Sequence, residues 1–255
     1  MTDKLVCALM IGRAGSTGFP GKNIYPLLGR PMAAYPLLAA TKADLVDRVF
    51  VSTDSLEIME IARTYGAELI DRPPELATNA ALGEDVFKHG YHEINRVLSA
   101  EGKQVEQMVL LFANAPTVSA DMIDEAVRIL RKKPDFDSVV STSVYNMWSP
   151  LRARKLDADG SLQPFVPFET FGDPATLNCD RDSQGNVYFA DMGLSVVRPH
   201  CLEHMDKGLL PQKWMGRKIH PIESWGGCDV DYEWQIPMVE FWLRKHGVEQ
   251  ATDKE

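Results

Sequence analysis

The chain has 255 residues, 45% hydrophobic and 25% charged, which is enough for one buried core and too evenly punctuated by turn residues for long disorder. With 36 Asp and Glu against 27 Lys and Arg the formal net charge is −9, so a broad surface for nucleic acid or an anionic membrane is not expected, since such surfaces need clustered cations. No apolar run reaches membrane-spanning length, and Cys7, Cys179, Cys201 and Cys228 show no CxxC or metal spacing, so they read as reduced thiols of a cytoplasmic protein.

Residues 5–11 form a continuous apolar run, the pattern of a strand buried on both faces; polar loop residues follow, so it is not read as a signal peptide. A glycine-rich loop spans 12–23. A helix is expected over 32–43 and a strand over 48–53. Asp54 is expected to cap the next helix, with Glu57 three residues on and Gly66 as its stop. Further elements are a strand at 67–70, a helix at 83–98, a strand at 107–112, a helix at 121–132 and a strand at 137–142. This alternation predicts an α/β fold, a doubly wound, mainly parallel sheet, whose ligands bind at the carboxyl ends of the strands.

The pattern changes after about residue 144. Residues 145–181 are rich in Pro, Asp and Gly and read as an inserted arm at a subunit interface. Strands over 186–190 and 195–197 return to the sheet. A closing helix is expected over 232–246, bent or shifted by Pro237. Residues 1–247 thus form one domain, and 248–255 are expected to be a flexible tail.

The loop GRAGSTGFPGKN at 12–23 is the most informative segment. Four glycines let backbone N–H groups approach a ligand, Ser16 and Thr17 add hydroxyls, and Arg13 and Lys22 add cations on either side. A polyphosphate needs this combination of close donors and charge neutralisation. The dinucleotide fingerprint GxGxxG fails at Ala14. The P-loop pattern fails because Ser16 stands where its first glycine belongs and Asn23 where its Ser or Thr belongs.

Arg72 follows a predicted strand and precedes Pro73-Pro74. Its planar guanidinium suits the acceptor edge of cytosine, and a surface ion pair with Asp71 or Glu75 is the other reading. Asp229-Val-Asp231 places two carboxylates on one face if extended, suited to Mg²⁺; a solvated turn is the alternative.

The series Arg13, Gly15-Ser16, Gly18, Pro20, Lys22-Asn23, followed by Pro26-Leu27 and Gly29-Arg30-Pro31, resembles the N-terminal signature of the acylneuraminate cytidylyltransferases, to which the 3-deoxy-octulosonate cytidylyltransferases are related in fold. The likeness continues through residues 47–54, 65–68 and 72–78, covers residues 1 to about 140, and resumes at the Asp229-x-Asp231 pair. The resemblance implies a Rossmann-like nucleotidyltransferase fold with a dimerisation arm, a homodimer, and transfer of CMP from CTP to an acidic sugar with Mg²⁺ as cofactor. It implies that Arg13, Ser16, Lys22 and Asn23 hold the triphosphate, that Arg72 reads the base, and that Gly12, Ala14, Gly15, Ala80 and Gly83 complete the nucleotide contacts. Asp229 and Asp231 match its metal ligands. Arg13 and Lys22 are the expected catalytic cations, with Asp231 the candidate base.

The chain departs from the family where the acceptor binds. Phe112-Ala-Asn-Ala-Pro116 stands where the family has Gln-Pro-Thr-Ser-Pro, Gly83 where a Ser meets the ribose, and Thr17 where a Lys is usual. Asn114, Arg152, Arg154 and Arg181 are candidates to hold the acceptor with Phe112, and Gln184 opens a stretch loosely similar to the family's Asn-Gly-Ala-Ile-Tyr strand. The acceptor is therefore expected to differ from an ordinary sialic acid, as another ulosonic acid or a phosphonate. Three readings stand beside this one: a sugar-1-phosphate nucleotidyltransferase, a glycosyltransferase using Asp229-x-Asp231, and an inactive nucleotide-binding regulator.

Overall fold

The computed structural model describes residues 3–15, 18–78 and 80–251. Its centre is a seven-stranded sheet. In chain order the strands and helices are β1 (Lys4–Ile11), the short hairpin β2 (Pro26–Leu27) and β3 (Arg30–Pro31), α1 (Ala34–Lys42), β4 (Arg48–Thr53), α2 (Leu56–Thr64) and β5 (Glu68–Asp71). Then come α3 (Gly83–Ala100), β6 (Gln104–Phe112), α4 (Ala120–Lys132) and β7 (Ser138–Val144). The second half adds the hairpin β8 (Arg154–Leu156) and β9 (Leu162–Pro164), then β10 (Tyr188–Val197), α5 (Pro199–Glu203), β11 (Ile219–Glu223) and α6 (Ile236–Lys245). The sheet order is β11-β7-β10-β6-β1-β4-β5. Only β10 runs antiparallel to its neighbours, β6 and β7.

The unbroken apolar run of β1 follows from its central place. Val6, Ala8 and Met10 pack in one core with Leu37, Ile58, Ala62, Ile123 and Val127 of α1, α2 and α4. Cys7, Leu9 and Ile11 pack in another with Phe87, Tyr91 and Ile94 of α3 and Leu202 of α5. Both faces are covered, as the doubly wound expectation requires. A third cluster joins Leu27, Met32 and Tyr35 to Val230 and to Val239 and Trp242 of α6.

Several local expectations change. The cap of α2 is Ser55, not Asp54: Ser55 Oγ accepts from the Ile58 N–H at 3.3 Å, and Glu57 accepts from the Ser55 hydroxyl at 2.7 Å. Asp54 is thereby free to turn toward the glycine-rich loop. Pro237 ends up in the first turn of α6, where its missing N–H costs nothing, and a 3₁₀ turn over Glu233–Gln235 precedes it. The two returning strands are one strand, β10, whose register slips between Ala190 and Ser195. Past α6, the Val248 N–H donates to Leu243 and the Ala251 N–H to Leu28 O at 2.8 Å, so this part of the expected tail lies against the core. Residues 252–255 fall outside the described residues.

The arm leaves between two adjacent strands, β7 and β10, and its base is closed by Tyr145 N–H to Val187 O at 3.0 Å. It holds β8, β9 and short 3₁₀ turns. No residue from 150 to 190 is buried, and Leu156, Leu162 and Phe165 are exposed.

Candidate active site

The parallel strands bring the ends of β1, β4, β5 and β6 to one edge of the sheet, where a cleft of about 350 Å³ opens. The loop after β1 forms one wall with Gly12, Arg13, Gly15, Lys22 and Asn23. The other is built by Arg72, Gly83, Phe112, Asn114 and Asp231. Gly12 is required there: a Cβ would lie 2.6 Å from Ala113 Cβ, so only glycine lets the ends of β1 and β6 meet so closely. A side cleft of about 180 Å³ shares Arg13 and Lys22, includes Ala14, and ends at Ser55 and Glu57.

The loop is held in shape from two sides. Asn23 Nδ2 donates to Arg13 O at 3.1 Å, and the Ala14 N–H donates to Asp54 Oδ1 at 2.9 Å. Ser16, a predicted phosphate contact, lies outside the described residues. Asp54 also sits 4.0 Å from Arg72 Nη1. Arg72 is only 9% exposed; its Nε donates to Ser52 Oγ at 3.2 Å and its Nη2 to the Ser52 carbonyl. Burial lowers its guanidinium pKa, Asp54 opposes that, and Arg13 adds to it. Among the described residues its ion-pair partner is Asp54, rather than the Asp71 or Glu75 suggested by proximity in sequence.

Opposite the loop, the segment after β11 presents the two aspartates. Val230 is fully buried and clamped to Asn114: its N–H donates to Asn114 O at 2.8 Å, and Asn114 Nδ2 donates to Val230 O at 3.0 Å. The carboxylates on either side of it are thus fixed by a backbone register. Asp231 Oδ1 lies 2.6 Å from Lys22 Nζ, across the cleft. The Asp229 carboxyl is pushed up to about 6, first by burial and then by Asp231, with Lys22 and Asn114 pulling it down. Two neighbouring carboxylates are a donor set that a divalent cation fits. Among the described residues no third Asp, Glu, His or Cys joins them.

Sequence reasoning missed three residues. Gln235 Oε1 accepts from the N–H groups of Asp231 and Tyr232 at 2.7 and 2.8 Å while its Nε2 donates to Asp229 O at 3.0 Å, so one side chain ties both aspartates. Its position three residues after Tyr232 at the start of a helix was the available signal. Asp54 was read only as a cap. Tyr232 lines the cleft beside Gly18 and had no sequence signal.

The acceptor candidates are scattered. Phe112 lines the cleft with its ring centroid 5.1 Å from Phe87 and 6.1 Å from Trp214. Asn114 lines it too, but its amide is engaged with Val230. Arg152 and Arg154 border a separate hollow of about 560 Å³ in the arm, where Arg154 stacks on Phe168 at 5.3 Å. Arg181 pairs with Asp182 at 3.2 Å, and Gln184 is exposed. None of these four lines the cleft of this chain. Ala80 does not line it either, although Thr78 and Ala81 do.

A mainly parallel sheet with helices on both faces and a cleft at its carboxyl edge defines a class of fold. Two solved structures share it: CMP:2-keto-3-deoxy-manno-octonic acid synthetase complexed with CTP, with a TM-score of 0.65, 13% identity and coverage of 95% of this chain and 100% of that one, and 4-diphosphocytidyl-2C-methyl-D-erythritol synthase from Anaerococcus prevotii, with a TM-score of 0.56, 14% identity and coverage of 94% and 96%. In sequence, residues 7–156 match the family described as Cytidylyltransferase. The chain is 32% identical over 165 residues to the N-acylneuraminate cytidylyltransferase of Escherichia coli, covering 65% of this chain and 37% of that protein. It is 31% identical over 192 residues to the CMP-N,N'-diacetyllegionaminic acid synthase of Legionella pneumophila, covering 72% and 77%. The chain spans less than half the length of the N-acylneuraminate cytidylyltransferases of Escherichia coli and Oncorhynchus mykiss that it matches. It belongs to the cytidylyltransferase family.

Proposed function

We propose that this protein transfers the cytidylyl group of CTP to a small acidic acceptor of the ulosonic or sialic type and releases pyrophosphate. The observation that carries this reading is the 2.6 Å pair between Lys22 and Asp231, which joins the glycine-rich loop to the acidic segment across 209 residues of sequence. A phosphate-binding loop facing, across one cleft, a carboxylate of a metal-type Asp-x-Asp segment is what nucleotidyl transfer needs and what a plain nucleotide-binding module does not.

In this scheme Arg13 and Lys22 neutralise the phosphates and the loop N–H groups cradle them. Arg72, held by Ser52, directs guanidinium N–H groups at the cytosine edge. The acceptor oxygen attacks the α-phosphorus in line, the bond to the departing pyrophosphate breaks, and the hydroxyl proton passes to Asp231, the carboxylate that lines the cleft. Mg²⁺ held by Asp229 and Asp231 would, when bound, offset charge on the α-phosphate and on the leaving group. Positioning and charge neutralisation supply most of the acceleration.

A phosphonate acceptor is the second reading. It is favoured by Phe112 in the cleft, which offers no polar group to a sugar hydroxyl where the related family has a Gln. The exposed apolar residues of the arm support a homodimer. The four unpaired cysteines fit a reducing, cytoplasmic setting, and among the described residues no helix is long and apolar enough to cross a membrane. Pyrophosphate release with Mg²⁺ and CTP, across a panel of ulosonic acids and phosphonates with ATP, GTP and UTP as controls, tests the reading. CTP-selective release with one acceptor supports it; release that prefers another nucleotide rejects it.

A further inference from the structure

The slip in β10 has a structural product. Between Ala190 and Ser195 the strand loses register with β7, and Met192 adopts a φ of 63°. The bulge turns Asp191 inward, where it is 5% exposed. Its carboxylate has no cation beside it among the described residues. Instead Oδ1 accepts from the Ser141 hydroxyl and from the Gly193 N–H at 3.1 Å, and Oδ2 accepts from the hydroxyls of Ser143, at 3.1 Å, and Ser224. A buried carboxyl group held only by hydroxyls and one N–H is costly unless its acceptor capacity is used.

The partners of that carboxylate lead to the acidic pair. Ser143 Oγ also accepts from the Gly226 N–H at 3.0 Å. Gly227 lies on the carboxylate: a Cβ there would be 2.6 Å from Ser224 Oγ and 2.9 Å from Asp191 Oδ2. The next residue, Cys228, is held by Thr117, whose Oγ1 accepts from the Cys228 N–H at 3.0 Å and donates to its carbonyl at 3.1 Å. Val230 follows on Asn114. Each residue from 226 to 228 is thus fixed in turn, and the series ends at Asp229 and Asp231. The chemistry of the root matters. Ser143 donates to Asp191 Oδ2, which leaves the lone pairs of that hydroxyl for the Gly226 N–H. An amide in its place would donate and compete for those lone pairs.

We propose that Asp191 is a positioning residue that sets the spacing of Asp229 and Asp231 for the divalent cation. This rests on the cytidylyl-transfer reading above. Groups that orient metal ligands without touching the metal typically alter affinity by 10- to 100-fold.

The test uses Mn²⁺ as the probe, with free Mn²⁺ followed by electron paramagnetic resonance in the presence of CTP and the Mn²⁺–CTP complex measured without protein and subtracted. Asp191→Asn and Ser143→Ala are compared with wild type, and Asp137→Asn, far from the cleft, serves as a destabilised control. The expected result is Mn²⁺ affinity about tenfold weaker in both site variants, an unchanged value in the control, and CTP binding in EDTA unchanged in all. Should Asp191→Asn fail to fold, Ser143→Ala decides alone, because it removes the Gly226 acceptor and leaves the carboxylate its other donors. Wild-type Mn²⁺ affinity in the folded site variants, whatever their melting temperatures, overturns the proposal. If wild type itself binds no Mn²⁺ with CTP, the cytidylyl-transfer reading falls and takes this proposal with it.

Discussion

Lys22 stands between the two halves of the cleft, and its ammonium lies 2.6 Å from Asp231 Oδ1. Replacing it with Met keeps the stem and removes the charge; kcat should fall about 10²- to 10³-fold, as for loss of one preorganised donor at a developing charge. The fall should appear in single-turnover rates with CTP binding affected less. Under the proposed reading Phe112 faces the acceptor, and Phe112→Gln places a polar group in the lining of the cleft. It should raise kcat/KM for N-acetylneuraminate about tenfold or more relative to wild type, with the KM for CTP within twofold. An unchanged acceptor preference would show that Phe112 does not select the acceptor. Lys22 was visible in the sequence because its chemistry is local, a cation beside glycines at fixed spacing, as was the Asp229-x-Asp231 pair; Phe112 stood out only against the Gln of the related family. Asp54, Gln235 and Asp191 were not visible in this way. Each acts through a partner distant in the chain or in backbone, as Asp54 does on Ala14 and Arg72, and no spacing announces such contacts.

Elements buried on both faces were the most legible. β1 and β4 read as strands because solvent touches neither side, so composition and periodicity agree. β10 was split in two because its bulge interrupts the pairing that a strand pattern records. β11 was not foreseen: Pro221 in it is tolerated at the edge of the sheet, where β7 is its neighbour on one side only. The arm carries little signal because no residue from 150 to 190 is buried, and a hydrophobic pattern needs a core to point at. Where two elements meet without room, substitution should be felt. Gly12→Ala puts a methyl 2.6 Å from Ala113 Cβ and should separate the ends of β1 and β6. A loss of about 1–3 kcal/mol in denaturant unfolding and weaker CTP binding are expected together. Loss of stability with intact CTP affinity would mean that the loop tolerates the shift.

At the scale of the whole molecule, the end of the sheet opposite the cleft is tied by Asp137. Partial burial pushes its carboxyl upward, but the N–H groups of Lys218 and Arg217 and the imidazole of His200 outweigh that and hold it below the usual aspartate range. A group whose folded pKa is depressed adds stability above its unfolded pKa and loses it as pH falls through the folded value. Asp137→Asn should therefore cost about 2 kcal/mol near neutral pH, a difference that shrinks to nothing in strongly acid solution when both proteins are titrated with urea. A pH-independent difference would assign the loss to packing. The chemistry of the cleft is read most directly with CTP labelled in its α-phosphate. With Mg²⁺ and the correct ulosonic acid or phosphonate, the label should pass to a new acceptor–CMP compound while γ-label leaves in pyrophosphate. If CTP binds and the α-label remains in CTP for every acceptor of both classes, the reading of this protein as a cytidylyl-transfer enzyme is contradicted.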